Sequence, residues 1–273
     1  RLGSRLFGLQ FSSCRWKFDY FPKEIDVSTK GGESFIPNPL VVEPVGSGLP
    51  VGSIIFLHSF GDTAGDWEDF VEFVQQEIPQ TRWILPTAPI RPITCRNDLF
   101  QNSWYDVNSM TEPHKNKFEG LDESYQLVRS LIKTELEKGI PAERIALVGF
   151  SQGAAVALYT AVQYNGPLAG VAAVSGFLPK EIPGKDVAKY KHNFVMLHGR
   201  SDPFVPFKRA VDTFMTLQSK YGMKGDFFAY DGHHAINDAK TYDLVQYIYN
   251  RFSKKNESPI EEIDEPQSPD TLQ

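Results

Sequence analysis

The chain has 273 residues, of which 41% are hydrophobic and 13% aromatic, enough apolar material for one large α/β core without requiring a second domain. A formal charge of −6 with no basic stripe argues against a nucleic-acid partner, whose phosphates need a clustered cationic surface. Its two cysteines, Cys14 and Cys95, form neither a disulfide framework nor a zinc cluster, and no stretch approaches the roughly 18 consecutive apolar residues of a membrane span. The expectation is a cytoplasmic protein with at most peripheral membrane contact.

Residues 1–38 are expected to be an N-terminal extension. The opening RLGSRLFGLQFSSCRWKF contains Arg and Ser and has no acid before Asp19, a loose likeness to an organelle transit peptide; an irregular arm is the simpler expectation. From residue 39 to 253, short apolar runs alternate with helical patterns. Strands are expected at PLVVEPV (39–45), VGSIIFLH (51–58), RWILPTA (82–88), RIALVGF (144–150), LAGVAAVSG (168–176), HNFVMLHG (192–199) and DFFAYD (226–231). Several are nearly all apolar without alternation, the pattern of strands buried on both faces of a parallel sheet. Helical stripes fall at 65–76 (Trp67, Phe70, Val71, Val74), 121–138 (Val128, Leu131, Ile132, Leu136), 207–221 (Val211, Phe214, Met215, Leu217) and 238–252 (Leu244, Val245, Ile248, Tyr249). Alternating strands and helices imply βαβ units and a mostly parallel sheet covered on both sides. Residues 86–120 form the longest irregular stretch, with four prolines and several aromatics, and are expected to form a lid or binding wall. Residues 254–273 are acidic, with Pro and Ser, and read as a solvated, disordered tail.

Residues 147–153, LVGFSQG, carry the pattern G-x-S-x-G between an expected strand and the helical run AAVALYTAV. A serine hydroxyl is a poor nucleophile unless a base lies within hydrogen-bond reach and donors await the developing oxyanion. A sharp strand-to-helix turn exposes the hydroxyl and sets the following N–H, that of Gln152, at a helix N-terminus. Ser151 is therefore the candidate nucleophile. This arrangement predicts an acid and then a histidine further along the chain. FVMLHGRSDPFVP (194–206) supplies Asp202 in a loop after a strand; Asp238 is the second acid candidate and more simply a helix N-cap. DFFAYDGHHAI (226–236) supplies two candidate bases, His233 and His234, at a strand end, with Asp231 a turn residue.

The segments HSFGDTAGDW (58–67), LPTAPIRPIT (85–94), SWYD (103–106), GIPAERIALVGFSQGAAVALYTA (139–161), LAGVAAVSGFLP (168–179) and HGRSDPFVP (198–206) closely resemble the acyl-protein thioesterase family, also called the phospholipase/carboxylesterase family. The resemblance runs from about Leu40 to Phe252. It implies an α/β-hydrolase fold with a Ser-Asp-His triad that cleaves acyl thioesters on S-acylated proteins, and to varying degrees lysophospholipids and small esters. By motif the triad would be Ser151, Asp202 and His234, with His233 left open because the spacing after Gly232 is one residue shorter than in many relatives. The oxyanion donors would be the N–H groups of Gln152 and Phe60, the latter from a loop in which Ser59 stands where relatives have glycine and Phe60 where they have leucine. His58, His198 and Asp62 would shape loops. Phe60, Leu99, Phe100, Trp104 and Tyr105 are candidates for an apolar acyl-binding wall. No metal or cofactor is implied. The function this suggests is depalmitoylation of S-acylated proteins by a monomer or weak dimer. The alternatives are a lysophospholipase, a general carboxylesterase or a catalytically silent hydrolase-fold binding protein.

Overall fold

The computed structural model describes residues 38–46, 48–110, 115–236 and 238–253. The expected extension and acidic tail, with Cys14, lie outside the described residues apart from residue 38. Seven strands form one sheet in the order β1-β3-β2-β6-β7-β8-β9: β1 (Leu40–Val42), β2 (Gly52–Leu57), β3 (Thr81–Leu85), β6 (Ile145–Phe150), β7 (Gly170–Val174), β8 (Asn193–Gly199) and β9 (Lys224–Tyr230). Only β1 runs antiparallel, pairing with β3, and each of these strands lies within or beside a run expected from its apolar content.

Alternation along the buried strands divides the core in two. Ile55, Leu57, Leu147, Val171 and Met196 face α2 (Leu121–Glu137), α3 (Gln152–Gln163) and α4 (Phe207–Ser219), whereas Ile54, Phe56, Val148, Ala172 and Leu197 face α1 (Glu68–Gln75) and α5 (Asp238–Ser253). The helical stripes are placed as expected for Trp67, Phe70, Val71 and Val74, while Leu136, Met215 and Tyr249 are exposed, their helices burying narrower faces than the pattern suggested. Asp238 is the first residue of α5. From Gln152 to Val162 every residue of α3 is buried, because this helix is covered by the sheet on one side and by α2 and the loop walls on the other.

The stretch 86–120 is more ordered than its composition suggested. It holds a hairpin, β4 (Ile90–Ile93) against β5 (Leu99–Asn102), antiparallel, joined by a turn in which Asn97 and Asp98 both adopt positive φ. Pro92 sits inside β4, tolerated because a two-stranded ribbon has free edges, and this proline is what disguised the strand in the sequence.

Candidate active site

Ser151 sits at the carboxyl end of β6 with φ 55° and ψ −114°, a conformation costly for a residue with a Cβ and held by the surrounding packing. The flanking glycines explain how the chain reaches it. A Cβ on Gly149 would lie 2.5 Å from the backbone of Gly153, and one on Gly153 would lie 2.1 Å from the carbonyl oxygen of Leu57. Leu57 pairs with Gly149 in the sheet, so α3 begins against the backbone of β2 and only glycine fits between them. The turn leaves the Ser151 side chain on the rim above the carboxyl ends of the strands, where ligands of open α/β sheets bind.

Two further strand ends deliver its partners. His234, beyond β9, brings Nε2 to 2.8 Å from Ser151 Oγ, and its Nδ1 lies 2.7 Å from Asp202 Oδ2, beyond β8. The rings of Phe150 and Phe204 stand edge-on to the imidazole at 5.1 and 5.3 Å and help fix its plane. His233 points elsewhere, its Nδ1 donating to the Ser201 carbonyl at 3.0 Å. Asp202 Oδ1 accepts the N–H groups of Phe204 and Val205 at 2.9 and 2.8 Å. Burial alone would raise the Asp202 pKa, but the hydrogen bond and charge of His234, with those two N–H donors, outweigh it and hold the carboxyl below its usual range. His198, fully buried, has Nε2 2.9 Å from the Val205 carbonyl and 3.4 Å from Asp202 Oδ2, so it stands beside the same carboxylate oxygen that His234 uses.

The loop after β2 forms the facing wall. Asp62 Oδ2 accepts the Ser59 hydroxyl at 2.5 Å and the Trp67 indole N–H at 2.9 Å, so the serine in place of glycine gains a bond that clamps this loop. His58 donates Nδ1–H to the Ser59 carbonyl at 2.7 Å and accepts the Ala88 N–H on Nε2 at 2.9 Å, which assigns a neutral tautomer; burial lowers its pKa to match. Among the described residues, neither the Phe60 N–H nor the Gln152 N–H donates to an acceptor within the chain, and both residues line the same cleft as Ser151. The Gln152 side chain has a task that its place in the motif did not signal. Its Oε1 accepts the Trp104 N–H at 2.9 Å and its Nε2 donates to the Tyr105 carbonyl at 2.9 Å, tying the long loop to the helix that follows the serine.

A profile of the phospholipase/carboxylesterase family matches residues 42–251. Acyl-protein thioesterase 1 homolog 1 of Dictyostelium discoideum is 36% identical over 191 residues, covering 67% of this chain and 83% of that one. Acyl-protein thioesterase 1 of Eremothecium gossypii is 30% identical over 216 residues, covering 76% and 91%. The chain belongs to the phospholipase/carboxylesterase family. It is accordingly a serine hydrolase of the thioesterase and esterase class with an α/β-hydrolase fold. Among solved structures, Arabidopsis thaliana SOBER1 superposes with a TM-score of 0.66 at 26% identity, covering 73% of this chain and 98% of that one. Zea mays acyl-protein thioesterase 2 shares the fold at a TM-score of 0.63 and 23% identity, covering 78% and 98%.

The lining of the cleft differs from the expected set. Phe60 and Tyr105 line the cleft beside Ser151. Trp104 does not: it is fully buried beneath it, its indole N–H donating to the His58 carbonyl at 2.8 Å and its ring packed on the His58 imidazole. Leu99 and Phe100 also lie outside the cleft wall, because the β4–β5 hairpin carries them out to solvent, 39% and 38% exposed. Val107, Met110, Phe118, Phe177 and Phe204 take the places assigned to them. These residues carry no distinguishing motif, and only the folded course of the long loop reveals them. Among the described residues, no group of three His, Cys, Asp or Glu side chains is arranged to hold a metal ion, and no helix is long and apolar enough to cross a membrane.

Proposed function

We propose that the protein cleaves acyl thioesters and esters through a covalent intermediate on Ser151, its principal substrates being S-acylated proteins. The observation that carries this reading is the unbroken relay from Ser151 Oγ to His234 Nε2 at 2.8 Å and from His234 Nδ1 to Asp202 at 2.7 Å. His234 takes the hydroxyl proton as Ser151 attacks the carbonyl, and the imidazolium formed is stabilised and oriented by the ionised Asp202. The oxyanion is held by the N–H groups of Gln152 and Phe60, neither of which is engaged by an acceptor among the described residues. The thiol or alcohol leaves with the proton from His234. The same histidine then draws a proton from water, which attacks the acyl-enzyme and frees the acid and Ser151. No step calls for a metal or cofactor.

The S-acyl preference draws on the names of the relatives and on the aromatic and aliphatic lining of the cleft, which suits an alkyl chain. A lysophospholipase or general carboxylesterase would use the same acyl-enzyme with a different rim. With isolated cysteines and acylated substrates held at membranes, the protein would work in the cytoplasm as a monomer or weak dimer, touching the bilayer only peripherally, its catalytic domain spanning 39–253. A fluorophosphonate probe should label the wild type and fail on Ser151→Ala; labelling that persists in Ser151→Ala overturns the nucleophile. His234→Ala should lose activity that His233→Ala keeps, and the reverse would move the base to His233. Competition by lysophospholipid but not by palmitoyl-cysteine thioester would transfer the substrate assignment to the lipid.

A further inference from the structure

The acyl transfer makes no use of Arg209, although this side chain opens onto the cleft that holds Ser151 and Phe60. Arg209 is the third residue of α4, and its guanidinium carbon lies 3.5 Å from the centroid of the Phe177 ring. Among the described residues no carboxylate pairs with it, and the ionisable group acting on it is the phenol of Tyr105. Burial works against its charge and lowers its pKa, yet a guanidinium remains protonated at any physiological pH. Stacking on Phe177 covers one face of the cation. Among the described residues the planar fork of N–H donors meets no acceptor.

For a cleft that receives only hydrocarbon this is an unfavourable arrangement. The cation gives up hydration when an alkyl chain enters and gains no hydrogen bond in return. The whole chain carries a net charge of −6, so its long-range field does nothing to collect anions; a substrate anion would have to be recognised by a local cation. Arg209 has the geometry for that, since its fork matches the paired oxygens of a carboxylate or a phosphate.

We propose that Arg209 makes the cleft selective for acyl esters or thioesters that carry an anionic group, a carboxylate or a phosphate, in the part of the substrate lying against Phe177. The inference rests on Ser151 being the nucleophile of this cleft. Two matched substrate pairs separate the sources of the anion. The p-nitrophenyl half-ester of adipic acid against p-nitrophenyl hexanoate tests a carboxylate on the acyl side. Lysophosphatidate against the corresponding monoacylglycerol tests a phosphate on the leaving-group side.

In at least one pair the wild type should favour the anionic member in kcat/KM. That ratio should fall roughly 10-fold or more in Arg209→Met and recover in part in Arg209→Lys. The pair that responds names the anion. A wild type without anionic preference in either pair overturns the proposal, as does a preference that survives in Arg209→Met. The wild-type ratios decide the matter even if Arg209→Met fails to fold. Calorimetric titration of adipate against hexanoate, and of glycerol phosphate against glycerol, into Ser151→Ala reads the same selectivity without turnover. Tighter anion binding there supports the role of Arg209 even if no ester is hydrolysed, a result that would instead defeat the proposed function; equal binding within both pairs counts against Arg209.

Discussion

The two edges of the sheet use buried polar groups in opposite ways. At the amino edge Glu135, 1% exposed, is saturated by its neighbours: Oε2 accepts the Ser53 hydroxyl at 2.6 Å and faces Arg82 Nε at 3.3 Å, while Oε1 meets Lys138 Nζ at 3.0 Å. At the carboxyl edge the network from His198 through Asp202 and His234 ends on Ser151 Oγ, and beside it stand two backbone N–H groups without acceptors among the described residues. A closed network can only hold the fold together. An open one leaves a place for a reacting carbonyl, and the difference shows that burial and charge alone do not mark a site; an unfilled geometry does.

Substitutions should separate the two edges cleanly. Ser151→Ala is expected to lower kcat by ~10⁴-fold or more while moving the unfolding free energy little, because among the described residues the hydroxyl's side-chain partner is His234. A loss of activity under tenfold would mean that the carboxyl-edge network is not catalytic. Glu135→Ala should do the reverse. It strips Ser53 of its acceptor and leaves Arg82, among the described residues, with the exposed Glu43 as its carboxylate partner, so unfolding in urea should show a loss of about 3 kcal/mol with kcat of the folded enzyme unchanged. Normal stability in that variant would refute the view of the amino edge as a structural clamp.

Acid should weigh mainly on the carboxyl edge. His58 and His198 there, and His192 at the foot of β8, all have pKa values lowered from 6.5, burial being the largest cause in each. Below about 6.5 the unfolded chain takes up protons that the folded protein resists, so stability is complete above that pH and declines as pH falls toward the depressed folded values. Each histidine contributes up to ~1.4 kcal/mol per pH unit in that window. Asp202, whose folded pKa is also depressed, adds its own loss only below about pH 4. Equal unfolding free energies at pH 7.5 and 5.5 would show that these histidines are not held neutral.

The comparison also explains what could be read from the chain. The parallel strands were legible because burial on both faces removes all alternation from runs such as GSIIFL, and the elbow was legible because no other residue than glycine fits at 149 and 153. The approximate places of Asp202 and His234 followed from strand order, but the choice of His234 over His233 is a matter of one residue's twist at the end of β9. The hairpin at 90–102 was hidden by Pro92, whose presence in a strand depends on having an unpaired edge. Trp104 misled for the opposite reason. A large aromatic in a long loop looks like a wall, whereas its indole N–H and ring are both engaged on His58 below the cleft. Arg209 gave no signal at all, since the ring it stacks on, Phe177, comes from a distant segment of the chain.

Gln152 belongs to both kinds of network and gives the finest test of the division between them. Its main-chain N–H faces the cleft, which a side-chain change leaves in place, while its amide closes a structural set of bonds to Ser103, Trp104 and Tyr105. Gln152→Leu keeps the volume and the N–H but leaves the Trp104 N–H and the Tyr105 carbonyl without these partners. The expected cost is about 1 to 3 kcal/mol of stability. Because Tyr105 lines the cleft, loosening it should raise KM by several-fold, with kcat falling less than KM rises. If kcat instead collapsed as far as in Ser151→Ala at unchanged KM, the amide itself would have to act on the reacting carbonyl. The boundary between the closed and open networks would then run through this side chain rather than beside it.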